Sequence, residues 1–256
     1  MDIRIFVFQH MQCQLPSCFA DRKVYTPIQC GRAINAPIPE MLGDDTGDNI
    51  SELNRRYNEM TAIYWIAHHY EELGDPEYIG FDHYRRYLNW TEDMLSPRTV
   101  IARRWFSWRR LRGQYANCHG TGELDLFSQR FKQIFPLEEY GDYDTYWETH
   151  FFYICNMFIM HRDNFRRYAK FILSCIDILR QLDGKDSSSI SLLNYQSRIP
   201  SFILERMTSY WLWHEKRKNA IDIVPSTITH FNIENPLNGG QCQNRHAFLW
   251  FLRQAY

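Results

Sequence analysis

Apolar residues recur along this chain in two rhythms. A short unbroken run at residues 3–8, "IRIFVF", predicts a first buried strand. Across residues 48–74 the rhythm changes: Ile50, Leu53, Tyr57, Met60, Tyr64 and Ala67 step by three and four, which predicts a helix. Asn49 or Ser51 can cap it, and Gly74 with Pro76 ends it. A second strand follows at 78–81. After a less regular stretch at 89–145, with turn signals at Gly113, Gly120, Gly122 and Gly141, a third apolar run at 151–160 ("FFYICNMFIM") reads as another buried strand. Residues 162–182 predict an amphipathic helix on Phe165, Tyr168, Ile172, Ile176 and Leu179, and 183–189 a flexible loop. Pro200 opens a helix over 200–214, residues 220–231 are strand-like, and 245–254 form a terminal helix. Strands alternating with helices predict an α/β fold with a largely parallel sheet, in one domain over 1–256.

In such sheets ligands bind beyond the carboxyl ends of the strands, where the strand-to-helix loops converge. The strand at 78–81 meets Asp82, His83, Tyr84, Arg85 and Arg86 at that end. A carboxylate and an imidazole can hold a divalent cation, and arginine forks take phosphate oxygens in pairs. Both suit a leaving diphosphate, on which negative charge grows in the transition state. The plainer reading is an Arg–Asp surface pair beside a satisfied histidine.

Composition narrows the partners. The 256 residues are 45% hydrophobic and 16% aromatic, enough for one large core, with a formal net charge of −1. A near-neutral chain argues against nucleic acid, so any cationic surface is local. Seven cysteines without a CxxC pair point to reduced thiols in a cytosol. "MDIRIFVFQH" reads as a strand and not a signal peptide, and no window reaches the roughly 18–20 apolar residues of a membrane span. The expectation is a soluble chain, or one attached to a membrane surface. GxGxxG, GxxxxGK[ST], HExxH and GxSxG are all missing. "GDDTGDN" (43–49) lacks EF-hand spacing and a closing glutamate, so it reads as a polar turn capping the next helix.

Five blocks then stand in order: "TPIQCGRAI", "GDDTGDNISELNRRYNEMTAIYWIAHH", "YIGFDHYRRYL", "ICNMFIMHRDNF" and "RIPSFILERMTSYWL". Together they resemble a bacterial glycosyltransferase family from capsule, exopolysaccharide and lipopolysaccharide O-antigen gene clusters. That family was long carried as a domain of unknown function, and its characterised members are galactofuranosyltransferases. The resemblance runs over about residues 25–213. It implies a GT-A-like, Rossmann-type fold in a single domain and a UDP-activated donor, foremost UDP-galactofuranose. It also implies inverting transfer to a growing glycan on a lipid-linked or oligosaccharide acceptor, in the cytoplasm or on the cytoplasmic face of the inner membrane. Two alternatives stay open: a UDP-pyranose donor (galactose or glucose), and a nucleotide-sugar binder without turnover.

The resemblance also assigns residues. Asn49, Ser51 and Asn54, at the start of the predicted helix, either receive the donor's anion or cap the turn. Asp45 and Asp48 are weaker candidates for ribose or uracil. His83, Tyr84, Arg85 and Arg86 stand where GT-A enzymes keep an Asp-x-Asp metal motif. Here Asp82 and His83, helped by His230, hold Mn²⁺ or Mg²⁺, or else Arg85 and Arg86 neutralise the diphosphate without metal. Asn156 contacts the donor sugar or satisfies backbone in the core. Arg198 opens the block that carries Glu205, the expected catalytic base, with Glu59 and Asp82 as rivals.

Residues 89–145 are the variable, acceptor- or membrane-facing region. Within them "IARRWFSWRRLRGQY" (101–115) gathers five arginines around Trp105, Phe106 and Trp108. It reads as an amphipathic segment that lies on anionic lipid, grips acceptor phosphates, or is a helix with buried tryptophans and solvated arginines.

Overall fold

A computed structural model describes residues 1–186 and 195–231. Nine strands form one sheet: β1 (Ile3–Gln9), β2 (Tyr25–Gln29), β3 (Leu42–Gly43), β4 (Tyr78–His83), β5 (Arg86–Leu88), β6 (Thr99–Phe106), β7 (Phe151–His161), β8 (Asp222–Pro225) and β9 (Ile228–His230). The main order is β3-β2-β1-β4-β7-β6-β8, with β5 and β9 branching off β4. β3, β2, β1 and β4 run parallel to one another, β7 is antiparallel to both β4 and β6, and β8 is parallel to β6. Crossovers are needed to join parallel strands, which is why helices intervene in the first half.

The helices are α1 (Asn54–Tyr57), α2 (Met60–His68), α3 (Leu111–His119), α4 (Gly122–Ile134), α5 (Leu137–Tyr140), α6 (Tyr143–Trp147), α7 (Arg162–Asp186) and α8 (Ile199–Arg217). The predicted apolar stripe of α7 is the one that packs: Phe165, Tyr168, Ile172, Ile176 and Leu179 are all buried. Phe165 and Phe158 both pack edge-on against Phe81, and Tyr168 packs edge-on against Phe158. Fully burying one such side chain stabilises by about 1.5–3 kcal/mol. Gly80 is required by close packing, because a Cβ there would lie 2.8 Å from Ile159 Cγ1 and 3.1 Å from Ile5 Cγ1.

Three expectations are corrected. The helix predicted at 48–74 is a short 3₁₀ turn (Ser51–Leu53), α1 and α2, ending at His68. It breaks at Asn58, whose φ is 48°. Asparagine tolerates that backbone, and Asn54 Nδ2 donates to the Asn58 carbonyl (2.7 Å) while Asn58 Nδ2 donates to Ser201 Oγ (2.8 Å). The segment 101–115 is not one amphipathic helix. Val100, Ile101 and Ala102 are buried between β7 and β8, so the chain stays extended to Phe106 and turns helical only at Leu111. The loop expected over 183–189 is helical as far as Asp186, and its remainder lies outside the described residues. The terminal helix predicted at 245–254 lies outside the described residues.

Candidate functional site

The site is built around a break in β7. Ala102 of β6 pairs with Phe158 and Arg104 with Tyr153, so one β6 residue, Arg103, faces four β7 residues, 154–157. Within this bulge Cys155 and Asn156 have φ values of 67° and 52°. Two successive non-glycine residues in the left-handed region are costly, and such strain persists only where surrounding bonds fix it. The bonds are present. Glu205 of α8 accepts the Cys155 N–H at 2.6 Å, and Asn156 Nδ2 donates to Glu59 Oε1 at 2.8 Å. His83 Nε2 lies 2.7 Å from the Cys155 carbonyl oxygen, and Arg86 Nη1 lies 3.4 Å from Cys155 Sγ. Residues from β4, β5, β7, α8 and the α1–α2 break therefore meet at the carboxyl edge of the parallel strands.

The electrostatics follow from burial. A carbonyl can only accept, so His83 carries its proton on Nε2. Burial lowers the His83 pKa, Glu59 opposes this, and Arg86 lowers it further. The ring is neutral near pH 7, with Nδ1 as an acceptor. Burial raises the Cys155 thiol to about 12, so it is an inert neutral group. Glu205 is held at both oxygens, since Oε2 pairs with Arg206 Nη1 at 2.8 Å. Arg206 is itself buried, stacked 3.6 Å over the centroid of Phe152. Asn156 Oδ1 is buried without a hydrogen-bond partner among the described residues.

A second group lies beside the first. Tyr84 and Arg85 form the turn between β4 and β5, and the Arg85 guanidinium sits 4.9 Å over the Tyr84 ring. The ring of His10, just past β1, packs edge-on against Tyr84. Partial burial, then Arg85 and Arg198, lower the His10 pKa, which brings Arg198 to the same group. Sequence reasoning missed His10, although it stands directly past the strand "IRIFVFQ". The same rule would have found it. On the far side of β5, His230 pairs in register with Arg86, and burial, Arg86 and Arg103 lower its pKa.

Several expected residues stand elsewhere. Asp82 does not reach the site mouth. β4 continues to His83, and neighbouring strand residues point to opposite faces, so Asp82 turns inward and is fully buried. Its Oδ1 accepts the Leu88 N–H at 3.0 Å, its Oδ2 has no partner among the described residues, and burial raises its pKa well above the carboxylate range. Asp82 therefore faces away from the cluster that His83 joins. With His83 Nε2 occupied by Cys155, the trio Asp82, His83 and His230 does not fit Mn²⁺ or Mg²⁺. Among the described residues no three His, Cys, Asp or Glu side chains converge on a point.

Asp48, Asn49, Ser51 and Asn54 lie between β3 and the first turn of α1. Asn49 Oδ1 accepts the Ser51 N–H, Asn54 bonds Asn58 and Thr61, and Asp48 accepts the Tyr64 hydroxyl. The organiser there is Asp44, which the sequence reading did not single out. Fully buried, it accepts from the Gly31 and Arg32 N–H groups and from the Ser51 and Thr61 hydroxyls. This knot leads straight into the break that carries Glu59.

A mixed sheet with a parallel first half and an antiparallel β7, closed by helices and carrying its polar cluster at the carboxyl edge, is a GT-A-like, Rossmann-type architecture. A family described as "Domain of unknown function (DUF4422)" matches residues 4–104 and 91–217, and the chain belongs to it. A solved structure titled as the apo form of the WbbM bifunctional glycosyltransferase superposes with a TM-score of 0.71 at 23% identity, covering 90% of this chain and 45% of that one. The chain thus spans under half the length of that protein, and at this identity the likeness is one of fold. No curated protein sequence matches the chain.

Proposed function

We propose that the chain is a glycosyltransferase that moves a sugar from a nucleoside-diphosphate donor to a glycan acceptor. The observation that carries this reading is the convergence of His83, Arg86, Asn156, Glu59 and Glu205 on the β7 bulge, at the carboxyl edge where α/β sheets bind ligands. The glycosyltransferase name of its structural neighbour supports the reading, as does the motif resemblance. UDP-galactofuranose is the donor that resemblance favours, with transfer to a bacterial surface polysaccharide and inversion at the anomeric carbon.

Roles follow from the geometry. Arg86, with Arg85 and Arg198 from the neighbouring group, offsets the charge that grows on the leaving diphosphate. Asn156 Oδ1 accepts from a hydroxyl of the donor sugar. Glu205, tied at both oxygens, holds the bulge. Glu59 Oε2 has no partner among the described residues, which makes Glu59 the base that takes the acceptor's proton.

UDP release measured over a panel of UDP-sugars, with mass detection of the product, tests the proposal. Consumption of UDP-galactofuranose with transfer is the expected result. Consumption of a UDP-pyranose alone replaces the donor, and binding without release of UDP from any donor overturns the enzymatic reading.

A further inference from the structure

The strand register shows what stands next to the site. Ile79 of β4 and Val100 of β6 both pair with Met160, so four residues on, His83 and Arg104 lie at one level. β6 continues past it, and Phe106 projects about 7 Å beyond His83 at the usual rise per residue. The turn 107–110 then projects further. On this tip Trp108 is 100% exposed and Phe106 is 61% exposed. Arg103, Arg104, Arg109 and Arg110 are exposed around them.

Two features set the tip apart from an ordinary surface. Arg110 pairs with Glu148 and Arg112 with Asp125, but Arg103, Arg104 and Arg109 have no ion pair among the described residues. On a chain of net charge −1 this leaves a local, uncompensated positive charge. Arg104 also lies 4.6 Å over the ring of Phe106 and 5.0 Å over that of Phe151, an arrangement of apolar body and charged end. The aromatics stand on a protruding edge and not in a groove, which suits a broad, soft, anionic surface better than a chain that must be enclosed.

We propose that the β6 tip is a membrane-contact element: Trp108 and Phe106 enter the headgroup layer of an anionic bilayer, while Arg104 and Arg109 meet its lipid phosphates. Interfacial aromatics and arginines contribute in this way to peripheral attachment. No helix among the described residues is long and apolar enough to cross a membrane, so the contact is with the surface. Because the tip and the carboxyl edge point the same way, attachment turns His83 and Glu59 toward the bilayer, where a lipid-carried acceptor would lie. That orientation rests on the proposed function; the attachment does not.

Flotation of the full chain with phosphatidylcholine vesicles, with and without phosphatidylglycerol, tests it. Flotation is expected with the anionic vesicles, weakening as salt is added, with tryptophan emission quenched by brominated lipid. The pair Phe106→Ser and Trp108→Ser, and separately the pair Arg104→Glu and Arg109→Glu, should each lower vesicle affinity by about tenfold or more. Circular dichroism checks that these exposed changes leave the fold intact. No flotation with anionic vesicles, or equal flotation of the aromatic pair variant, overturns the proposal. So does complete displacement by inorganic diphosphate, which would make the tip a soluble-phosphate site. A chain that floats but releases UDP from no donor keeps this inference and sinks the enzymatic one.

Discussion

His83 Nε2 and the carbonyl oxygen of Cys155, 72 positions apart in the sequence, lie 2.7 Å from each other and join the end of β4 to the bulge of β7. The bond fixes the histidine tautomer and holds a backbone turn that would otherwise be unfavourable. Replacing His83 by Phe leaves the carbonyl unpaired, and unfolding by urea should show a loss of about 1–3 kcal/mol. The bond also carries a pH signature. Burial holds the folded pKa of His83 below the ordinary 6.5, so the unfolded chain takes up a proton first as pH falls. Wild-type stability should therefore drop from just above pH 6.5 downward, more steeply than that of His83→Phe.

Asp82 makes the opposite prediction. Its folded pKa is raised by burial, so its contribution is complete at acidic pH, below the unfolded value, and is lost as pH climbs toward the folded value. Asp82→Asn keeps an acceptor for the Leu88 N–H and removes the titration. Urea unfolding of this variant should gain on wild type as pH rises from about 4. Sugar transfer should survive the substitution, and added EDTA should leave the rate unchanged. A large loss in either assay would restore Asp82 to the site.

The two glutamates separate by kinetics. Glu59→Gln should cut transfer by about 10²–10⁴-fold while leaving UDP affinity within about threefold. Glu205→Gln breaks the pairing with Arg206, so it should lower the melting temperature as well as the rate. If Glu205→Gln alone abolishes turnover at full stability, the two roles are reversed.

Asp44 tests the scaffold. It gathers four donors while fully buried, so Asp44→Ala should destabilise by at least about 3 kcal/mol in chemical unfolding. A conservative Asp44→Asn should recover part of the loss. Neither variant needs a donor to show its effect.

The sequence displayed some of this plainly. The apolar runs of β4 and β7 predict strands where strands are found, and the rule that ligands gather past strand ends pointed to the segment that carries His83 and Arg86. The same rule misplaced Asp82, because one extra strand residue reverses the face on which a side chain stands. The β7 bulge had little local signal: no glycine or proline marks it, and only Asn156 interrupts the apolar run. The pairs that hold it, Glu59 with Asn156 and Glu205 with Cys155, are 97 and 50 positions apart. Contacts of that separation are decided by packing and not by local pattern. The break at Asn58 is invisible to periodicity for a related reason: Tyr57, Met60 and Tyr64 keep their helical spacing and stay buried across it.

The β7 bulge sets four residues against one of β6, between ladders that stay paired on both sides. In the proposed reading, exchanging Cys155 or Asn156 alters the shape met by an incoming molecule without shifting the register of any neighbouring strand. A chain built this way can change what it accepts by small steps, one side chain at a time, while its architecture stays put.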